Sequence, residues 1–331
     1  MQTFRVAFLG AGRIGQMHLT NLNTIPGVTV QVVADTNADM AARGAAIVNA
    51  PRHTSDIMAA IAADDVDAVM ICTPTGTHPA LIKAAIRAGK PVWCEKPVAL
   101  SLADVDDLTT FMVDYPDVPV MIGYMRRFDA RYQLAKQRLD AGELGAVERW
   151  YSKSIDDSPP SLAFIKTSGG ICIDMIIHDF DLATYFVGDV DEVMAYGAVL
   201  VDPGFIEAGD VDTITVMLRF ANGALGVIEG GRRTAWGYDI RTEIMGSKER
   251  AFVAFPNSTP SNMEGAASPV VDHGEGFTEA YRTELRYFFD CLRDGTTPRP
   301  DIAEAAKSLR VAVAAAQSMH EGRPVKVGRG S

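Results

Sequence analysis

The glycine pattern near the amino terminus constrains the fold more than any other feature of this chain. An apolar run, FRVAFL, leads directly into GAGRIG (residues 10–15), and a helical pattern follows. A second apolar run, VTVQVVAD, ends in Asp35, 20 residues after Gly15. A strand, a glycine turn, a helix and a second strand that ends in an acidic residue are together typical of a dinucleotide-binding unit. A glycine-rich structural turn with an incidental aspartate is the alternative.

Each position in this unit has a physical role. Gly10 permits the tight turn, Gly12 lets the backbone approach a pyrophosphate, and Gly15 lets the helix pack closely against the strand. The pyrophosphate would lie at the helix amino terminus, where N–H groups and the helix dipole favour negative charge. Asp35 would accept hydrogen bonds from the adenosine ribose and repel a 2′-phosphate, and no basic residue follows it directly. The pattern therefore predicts NAD rather than NADP.

Alternating strands and helices continue along the first third of the chain. Helical patterns cover residues 38–48, 55–62, 78–88 and 102–113, and they alternate with apolar runs such as VDAVMICT, VWCE and VPVMIGY. Continuous apolar strands separated by helices predict a parallel sheet that is covered on both faces. Ligands bind at the carboxyl ends of such strands, where TPTGTH (residues 73–78) and CEKPVAL (residues 94–100) lie.

The pattern changes after residue 145. Strand-like runs follow one another, namely EVMAYGAVL, TITVMLRF, ALGVIEG, YDIRTEIMG and RAFVAF, and the last helical pattern covers residues 302–320. The Asn222-Gly223 pair predicts a hairpin with a type I′ turn. We therefore predict an α/β fold with a Rossmann domain, a doubly wound parallel sheet, over residues 1–123. An α/β domain with a mostly antiparallel open sheet would cover residues 124–331. Its last helix would lie either within this domain or against the first domain.

Composition excludes several other classes of protein. The 331 residues are 47% hydrophobic and carry a formal net charge of −11, which suits a folded protein and argues against a nucleic-acid partner. Four cysteines lie far apart without a C-x-x-C spacing, so we expect reduced thiols rather than disulfides or a zinc site. The amino terminus lacks the features of a signal peptide, and no window reaches about 18 uninterrupted apolar residues. We expect a cytoplasmic protein without a membrane partner.

The segment GGICIDMIIHDFD (residues 169–181) is mostly apolar yet carries four ionisable side chains. On one α-helix, Asp174, His178 and Asp181 would share a face at i, i+4 and i+7, while Asp179 would point elsewhere. This pattern suggests a site. A core histidine with a structural aspartate partner is one alternative, and a metal site formed by the same three residues is another. We predict no metal.

Taken together, these motifs resemble the Gfo/Idh/MocA oxidoreductases, and within them the inositol dehydrogenase branch. The resemblance rests on GAGRIG, Asp35, TPTGTH, EKP, GYMRRFD (residues 123–129) and GGICIDMIIHDFD, and it covers nearly the whole chain. The later segments GRRTAWGYDIR and EAYRTELRYFFDCL agree with that branch. The resemblance implies a large open sheet that often serves oligomerisation. We therefore expect a homo-oligomer, a dimer or a tetramer, because an open sheet offers an exposed face and edges.

The resemblance also implies a catalytic set of Lys96, Asp174 and His178. Oxidation of a secondary alcohol removes a hydride and a proton, so a base must lie within about 3 Å of the hydroxyl. Neutral His178 would take that proton, and Asp174 would orient its imidazole and stabilise the imidazolium. Lys96 would hydrogen-bond the substrate oxygen and stabilise developing alkoxide charge.

Further contacts are implied by position in the same motifs. The cofactor would be held by Gly10, Gly12, Arg13, Ile14, Gly15, Asp35, Thr73, Pro74, Thr75, His78, Glu95 and Arg126. The substrate, a polyol or sugar, would be held by Lys96, Arg127, Asp156, Asp174, His178, Asp181, Tyr238 and Tyr281. For the two arginines the alternative is an ion pair that supports the domain junction. For the two tyrosines it is a place in the core or an interface.

One departure from the branch concerns the substrate. Inositol dehydrogenases commonly read S-R-D-P before the paired prolines, whereas this chain has the apolar Ile155 in SIDDSPP (residues 154–160). We predict NAD-dependent oxidation of a ring secondary alcohol, with myo-inositol and its 2-keto product as the leading pair. Another inositol isomer, a pyranose or an anhydrosugar is the alternative within this class. An NAD-using glycoside hydrolase and a non-catalytic NAD-binding regulator are the alternatives from other classes.

Overall fold

The computed structural model describes residues 2–234, 237–254 and 273–328. The chain divides into two compact units. Met1–Met125 and Glu279–Ala306 make up the first unit, and Arg126–Thr278 and Lys307–Ser331 make up the second. Among the described residues, no helix is both long enough and apolar enough to cross a membrane.

The first unit contains, in its described part, a parallel sheet of six strands. They are β1 (Phe4–Leu9), β2 (Val28–Ala34), β3 (Arg52–Thr54), β4 (Ala68–Ile71), β5 (Val92–Glu95) and β6 (Val120–Gly123). Their spatial order is β3-β2-β1-β4-β5-β6, and every neighbouring pair runs parallel. This order is that of a doubly wound dinucleotide fold, so the predicted Rossmann sheet is confirmed. Only the short β3, which has no apolar run, was missed.

Helices connect these strands. They are α1 (Arg13–Leu22), α2 (Ala38–Val48), α3 (Ile57–Ala62), α4 (His78–Arg87) and α5 (Leu102–Met112), and the last four lie within two residues of their predicted bounds. The side chains of Asn37, Asp56 and Ser101 accept hydrogen bonds from first-turn N–H groups of α2, α3 and α5. Gly12 stands at the start of α1 and has no side chain to do so. The first N–H groups of α1 therefore suit an anion.

The second unit is built on a sheet of seven strands within the described residues. They are β7 (Val147–Ile155), β8 (Val190–Ala198), β9 (Thr213–Phe220), β10 (Leu225–Gly231), β11 (Asp239–Gly246), β12 (Arg250–Ala254) and β13 (Val325–Lys326). The order is β12-β11-β7-β10-β9-β8-β13, and every pair is antiparallel except β7 with β10. The predicted, mostly antiparallel sheet is confirmed. Phe255, the end of the last predicted run, lies outside the described residues.

The centrally placed strand β7 was not predicted. Its sequence is VERWYSKSI, and its buried side is formed by Trp150, Ser152 and Ser154. Two of the three inward side chains are polar, so the alternation of apolar and polar residues that marks a half-buried strand is absent. The reason for the buried serines appears only in the site described below.

The turn between β9 and β10 is not of the predicted type. The hairpin itself forms, and Gly223 has a φ of 90°, but Asn222 does not have the positive φ that a type I′ turn requires. The Gly223 N–H donates to the Phe220 carbonyl at 3.0 Å, and the Phe220 N–H donates to the Ala224 carbonyl at 3.0 Å. This is a type I turn followed by a glycine bulge, the next most common hairpin connection.

The helices of the second unit lie between and after its strands. They are α6 (Ala130–Asp140), α7 (Leu162–Ser168), α8 (Ile171–Asp174), α9 (Ile177–Phe186) and α10 (Gly204–Ala208). Two long helices, α11 (His273–Asp294) and α12 (Ile302–Glu321), each contribute residues to both units. The predicted last helix therefore exists and extends one residue further than expected.

Candidate active site

The glycine turn after β1 is tightly packed at two of its three glycines. Gly10 has a φ of 92°, and a Cβ there would lie 2.5 Å from the carbonyl oxygen of Cys72. A Cβ on Gly15 would overlap the carbonyl oxygen of Gly10. At Gly12, by contrast, an added Cβ would meet no described atom within 4 Å. The turn thus leaves open space at Gly12, where a ligand can approach the backbone.

Asp35 follows β2 and contacts this turn directly. Its Oδ2 accepts a hydrogen bond from the Ala11 N–H at 2.8 Å, and its Oδ1 accepts one from the Asn37 N–H at 2.9 Å. The side chain is only half-buried, and each carboxylate oxygen can accept another hydrogen bond. Arg13 is exposed and Ile14 half-buried in the first turn of α1. The turn, the start of α1 and Asp35 fit the pyrophosphate and adenosine ribose of a dinucleotide.

The buried side chain of His78 forms hydrogen bonds to the turns that follow β4 and β5. The ring nitrogens of His78 lie 2.8 Å from the carbonyl oxygens of Thr73 and Pro97, and the Lys96-Pro97 bond is cis. Burial lowers the pKa of His78 and outweighs these two hydrogen bonds, which oppose that shift. The ring itself is buried, whereas residues 73–77 are at least partly exposed, so the segment before His78 is the part that a cofactor can reach.

The sequence motifs did not predict the buried hydrogen-bonded pair that His18 and Glu95 form beside the turn that carries Lys96. His18 Nε2 in α1 lies 2.8 Å from Glu95 Oε1, and Glu95 Oε2 accepts a hydrogen bond from the Lys96 N–H at 3.0 Å. The His18 ring packs edge-on against Trp93 and Tyr281, with ring centres 4.6 Å and 5.3 Å away. Glu95 and Tyr281, assigned to ligands by sequence, are therefore both partners of His18. A lone histidine on the buried face of a helix carries no sequence signal for this arrangement.

Residues 169–181 do not form one continuous helix, so the helix on which the shared face was predicted is interrupted. α8 ends at Asp174, and α9 begins at Ile177. Between them Ile176 has a ψ of 8°, well away from α-helical values. His178 lies buried in the first turn of α9, beyond the interruption. A continuous helix therefore does not set the position of Asp174 relative to His178.

Asp174 has a partner that the sequence analysis did not identify. Arg232, the residue after β10, donates from Nη1 to Asp174 Oδ2 at 2.9 Å. The same nitrogen lies 3.9 Å from Oδ2 of Asp156. Two carboxylates that the sequence assigned to the substrate therefore flank one buried guanidinium. In the segment GRRTAWGYDIR, which carries this arginine, Ala235 and Trp236 lie outside the described residues.

Arg126 is buried within the second unit. Its Nη1 donates to Ser154 Oγ at 3.0 Å and to Asp179 Oδ1 at 3.1 Å, and Asp179 also accepts hydrogen bonds from Ser152 and Ser154. Burial alone would lower the pKa of Arg126, but Asp179 and nearby tyrosines raise it well above its usual range. Asp179, which the helical pattern placed away from the predicted site, is thus a fully buried carboxylate that pairs with Arg126. The polar inward face of β7 is explained by this cluster.

Arg127 and Asp181 form a second buried ion pair. Arg127 Nε donates to Asp181 Oδ2 at 2.8 Å and Nη2 donates to Oδ1 at 2.7 Å. Ser308 Oγ donates to the same carboxylate at 3.3 Å, and the guanidinium carbon lies 4.4 Å from the centre of the Tyr185 ring. Both residues were predicted to bind substrate, but these groups are engaged with each other. They hold the 3-10 helix Met125–Phe128 against α9, which carries His178.

Tyr238 lies just before β11 in the same buried region. Its ring packs edge-on against Phe277, with ring centres 6.4 Å apart, and its hydroxyl is hydrogen-bonded to Arg126. Burial raises the pKa of Tyr238 well above its usual range, although Arg126 opposes that shift. The phenol therefore stays protonated and can donate as well as accept a hydrogen bond.

Ile155, the departure from the inositol branch, points away from the buried polar cluster. Side chains alternate along a strand, so Ile155 lies on the face opposite Ser154 and Ser152. It is paired in register with Gly231, and a Cβ on Gly231 would lie 3.0 Å from Ile155 Cγ2. Ile155 therefore packs on the outer face of the sheet, opposite the buried polar cluster.

The described residues contain no group of three or more His, Cys, Asp and Glu side chains that could hold a metal ion.

Burial raises the pKa of Cys172, in α8, to about 12, and burial also holds the pKa of Cys94 well above its usual range. Both thiols therefore stay protonated near neutral pH and are poor nucleophiles.

Comparison with known families matches both halves of the chain. Residues 4–124 match a family model described as an oxidoreductase family with an NAD-binding Rossmann fold. Residues 132–252 match the model of the GFO/IDH/MocA C-terminal domain. The two matches include the whole parallel sheet and most of the second sheet.

Similar proteins include dehydrogenases of inositols. The chain is 37% identical over 332 residues to a myo-inositol 2-dehydrogenase of Thermotoga maritima, with 98% of each chain covered. It is 36% identical over 329 residues to a scyllo-inositol 2-dehydrogenase (NAD(+)) of Bacillus subtilis, with 98% of this chain and 96% of the relative covered. The crystal structure of scyllo-inositol dehydrogenase from Lactobacillus casei with bound NAD(H) and scyllo-inositol has a TM-score of 0.92 and 28% identity. That match covers 98% of this chain and 99% of the other.

Proposed function

Because this chain belongs to the Gfo/Idh/MocA oxidoreductase family, we propose that it oxidises a ring secondary alcohol of a cyclic polyol with NAD as hydride acceptor. The substrate we propose is myo-inositol, and the product is its 2-keto derivative. The observation that carries this proposal is the near full-length similarity to relatives named for inositol oxidation. Lys96, Asp174 and His178 are all present. The predicted family and the predicted NAD cofactor are confirmed by the same matches.

The residues of the chain supply the proton chemistry of this reaction. NAD, held by the glycine turn and Asp35, would supply the acceptor for the hydride of the carbinol carbon. His178 accepts the hydroxyl proton on a ring nitrogen, which neutral imidazole can do near neutral pH. Asp174 orients the ring and offsets the charge of the imidazolium. Lys96 donates a hydrogen bond to the substrate oxygen and stabilises its developing negative charge.

The buried ion pairs change the substrate contacts that we propose. Arg127 and Asp181 bind each other, so they serve the site by holding α9 rather than by contacting the polyol. We still propose Asp156 and Tyr238 as hydrogen-bond partners for the ring hydroxyls. A polyol needs several such partners, because each hydroxyl buried without one weakens binding.

The first test of this proposal is NADH formation by the purified chain. NAD and then NADP would be offered with myo-, scyllo- and chiro-inositol, glucose, galactose, xylose and levoglucosan, and the absorbance of the reduced cofactor followed. We expect NADH with myo-inositol and a strong preference for NAD. Activity confined to a pyranose or to levoglucosan would overturn the inositol assignment. Glycoside cleavage without net NADH, or NAD binding with no turnover on any substrate, would favour the hydrolase or the regulator instead.

The assignment of the base is tested by His178→Asn. Loss of general base catalysis lowers turnover by about 10²- to 10⁴-fold. NAD affinity, measured by titration of the protein fluorescence, should stay near that of the unsubstituted chain. A variant that retains turnover, or one that loses NAD affinity instead, would show that His178 does not have this role.

We further propose that the chain forms a homo-oligomer through the outer face of the second sheet. One row across that face, set by the strand register, consists of Met194, Met217, Val227, Tyr151, Glu243 and Phe252. Met217 is 49% exposed and Phe252 54% exposed. Exposed apolar side chains such as these on a sheet face are typical of a surface that another chain covers.

The oligomer is tested by the mass of the particle in solution, measured by light scattering after size exclusion. We expect a dimer or a tetramer for the unsubstituted chain and a smaller particle for Met217→Lys. Leu134→Lys, which changes an apolar residue on α6 that is 58% exposed, is the control and should leave the mass unchanged. A monomeric unsubstituted chain would contradict the proposal.

A cytoplasmic location is part of the proposal. The four cysteines, Cys72, Cys94, Cys172 and Cys291, are all free thiols. Free thiols and a requirement for NAD both suit a reducing compartment. Localisation of the tagged chain by fractionation would test this directly, and recovery outside the cytoplasm would contradict it.

A further inference from the structure

Arg232 is placed between the two carboxylates that the proposed reaction uses on the substrate side. It follows β10, and its backbone N–H donates to the Asp212 carbonyl at 2.8 Å, which fixes the start of its side chain. The guanidinium is 2% exposed. Its Nη1 lies 2.9 Å from Asp174 Oδ2 and 3.9 Å from Asp156 Oδ2. Arg232 is therefore a buried cation whose nearest anion is the proposed partner of the base.

The remaining nitrogens show that Arg232 is not optimised for stability. Nε and Nη2 are buried and have no hydrogen-bond partner among the described residues. Burying donors without partners costs free energy, and so does removing a guanidinium from water. Arg127 differs, because two of its nitrogens pair with the two oxygens of one carboxylate. An arginine held at such a cost is better explained by what it does to Asp174 than by what it adds to folding.

The interruption between α8 and α9 explains why a contact between Arg232 and Asp174 matters for the position of Asp174. Asp174 is the last residue of α8 and His178 lies in the first turn of α9, so no continuous helix fixes one relative to the other. A carboxylate at a helix end can rotate about its side-chain bonds unless something holds it. Arg232 binds Asp174 from the neighbouring strand end and restricts that rotation. The anchor comes from the sheet, which is the more rigid support.

We propose that Arg232 is a positioning residue of the dehydrogenase, which fixes the Asp174 carboxylate so that it orients the imidazole of His178. This inference rests on the proposed function. Arg232 acts through Asp174, and it takes up and releases no proton itself because a guanidinium stays charged. Removing Arg232 leaves the base in place but takes away the contact that the sheet supplies to Asp174.

Three single variants test the proposal. Arg232→Met removes the charge and the donors while keeping similar bulk, and Arg232→Lys keeps the charge without the planar fork. Arg233→Met is the matched control, because the neighbouring arginine is exposed. We expect Arg232→Met to lower kcat by about 100-fold, since small misplacement of a catalytic group has effects of this size. The NAD affinity should stay within about twofold, and Arg232→Lys should recover part of kcat. Arg233→Met should match the unsubstituted chain.

A double-variant cycle shows whether Arg232 acts through Asp174. In an Asp174→Asn background, adding Arg232→Met should change kcat by less than about twofold, because effects on one coupled unit are not additive. A full further loss in that background would overturn the proposal, and so would unchanged kcat in Arg232→Met alone. If Arg232→Met does not fold, the same cycle is run with Arg232→Lys.

Failure of this inference is distinguishable from failure of the proposed function. An unsubstituted chain that forms no NADH with any polyol contradicts the function itself. An active unsubstituted chain whose Arg232 variants keep their kcat contradicts only the positioning role.

Discussion

Gly12 and Gly15 belong to one turn, yet a methyl group would act differently at each. A Cβ at Gly15 overlaps the Gly10 carbonyl oxygen, whereas a Cβ at Gly12 meets no described atom within 4 Å. Sequence spacing alone marks both as glycines of a dinucleotide turn. The structure separates a glycine needed for packing from one beside which the described residues leave open space.

We therefore expect Gly12→Ala to fold with nearly unchanged stability and to weaken NAD binding by about 10-fold or more, which corresponds to about 1.4 kcal/mol. Gly15→Ala should instead lower the free energy of unfolding, because the backbone must shift to avoid the clash. Fluorescence titration with NAD and urea unfolding measure the two effects. Unchanged NAD affinity in Gly12→Ala would contradict the pyrophosphate assignment.

Among the elements, buried ion pairs hold α9, the helix that carries His178. The pair formed by Arg127 and Asp181 joins the 3-10 helix Met125–Phe128 to α9, and Arg126 with Asp179 joins the same two elements. We expect Asp181→Asn to lower the free energy of unfolding by about 3–5 kcal/mol, because it leaves a buried guanidinium without its anion. Urea unfolding measures this loss.

An exposed ion pair in the same unit is the control for that variant. Lys307 Nζ and Asp189 Oδ1 lie 2.8 Å apart, with both side chains more than half exposed. Asp189→Asn should cost less than about 1 kcal/mol, because water screens exposed pairs. Equal losses in Asp181→Asn and Asp189→Asn would show that the buried pair does not hold α9.

The turn that follows β8 depends on one buried carboxylate. Asp212 accepts hydrogen bonds from the N–H groups of Leu200, Val201 and Asp202 and from the hydroxyl of Thr213. Burial raises the pKa of Asp212, but these hydrogen bonds lower it by more, so the net shift is downward. The unfolded chain then binds more protons, and the stabilisation is present above about pH 3.9 and lost as the pH falls below it.

Asp212→Asn should therefore destabilise the protein near neutral pH by about 1–3 kcal/mol, because an amide cannot accept the same set of hydrogen bonds. The difference from the unsubstituted chain should shrink as the pH falls below about 4. Urea unfolding at a series of pH values measures it. A difference that stays constant with pH would show that the ionised carboxylate is not the stabilising form.

At the scale of the whole molecule, the net charge of −11 acts on the two ligands differently. NAD carries a negatively charged pyrophosphate, whereas an inositol is neutral. Raising the salt concentration from about 20 mM to about 300 mM screens repulsion, so the KM for NAD should fall. The KM for myo-inositol should change little over the same range. A KM for NAD that rises with salt would show that attraction near the cofactor turn outweighs the net charge.

Local sequence patterns were enough to predict the class of fold and the residue types of the chemistry. Strand, glycine turn and helix around GAGRIG follow from local periodicity and from the conformations that glycine allows, both of which depend on neighbouring residues. The alternation up to residue 123 and the run of strands beyond residue 190 are local in the same way. The family motifs then predicted Lys96, Asp174 and His178 as the catalytic set, although the motifs carry no information about the surroundings of these side chains.

The pairing of the charged groups, in contrast, depends on long-range packing. Arg232 reaches Asp174 across 58 residues, Arg127 reaches Asp181 across 54, and His18 meets Glu95 across 77. Such pairs depend on how sheets and helices stack, and no periodicity in the sequence encodes a partner at that distance. The break between α8 and α9 arises at the same level, because a helical pattern does not show where packing and hydrogen bonds interrupt it. The sequence thus specifies which groups can react, and long-range packing specifies how they are held.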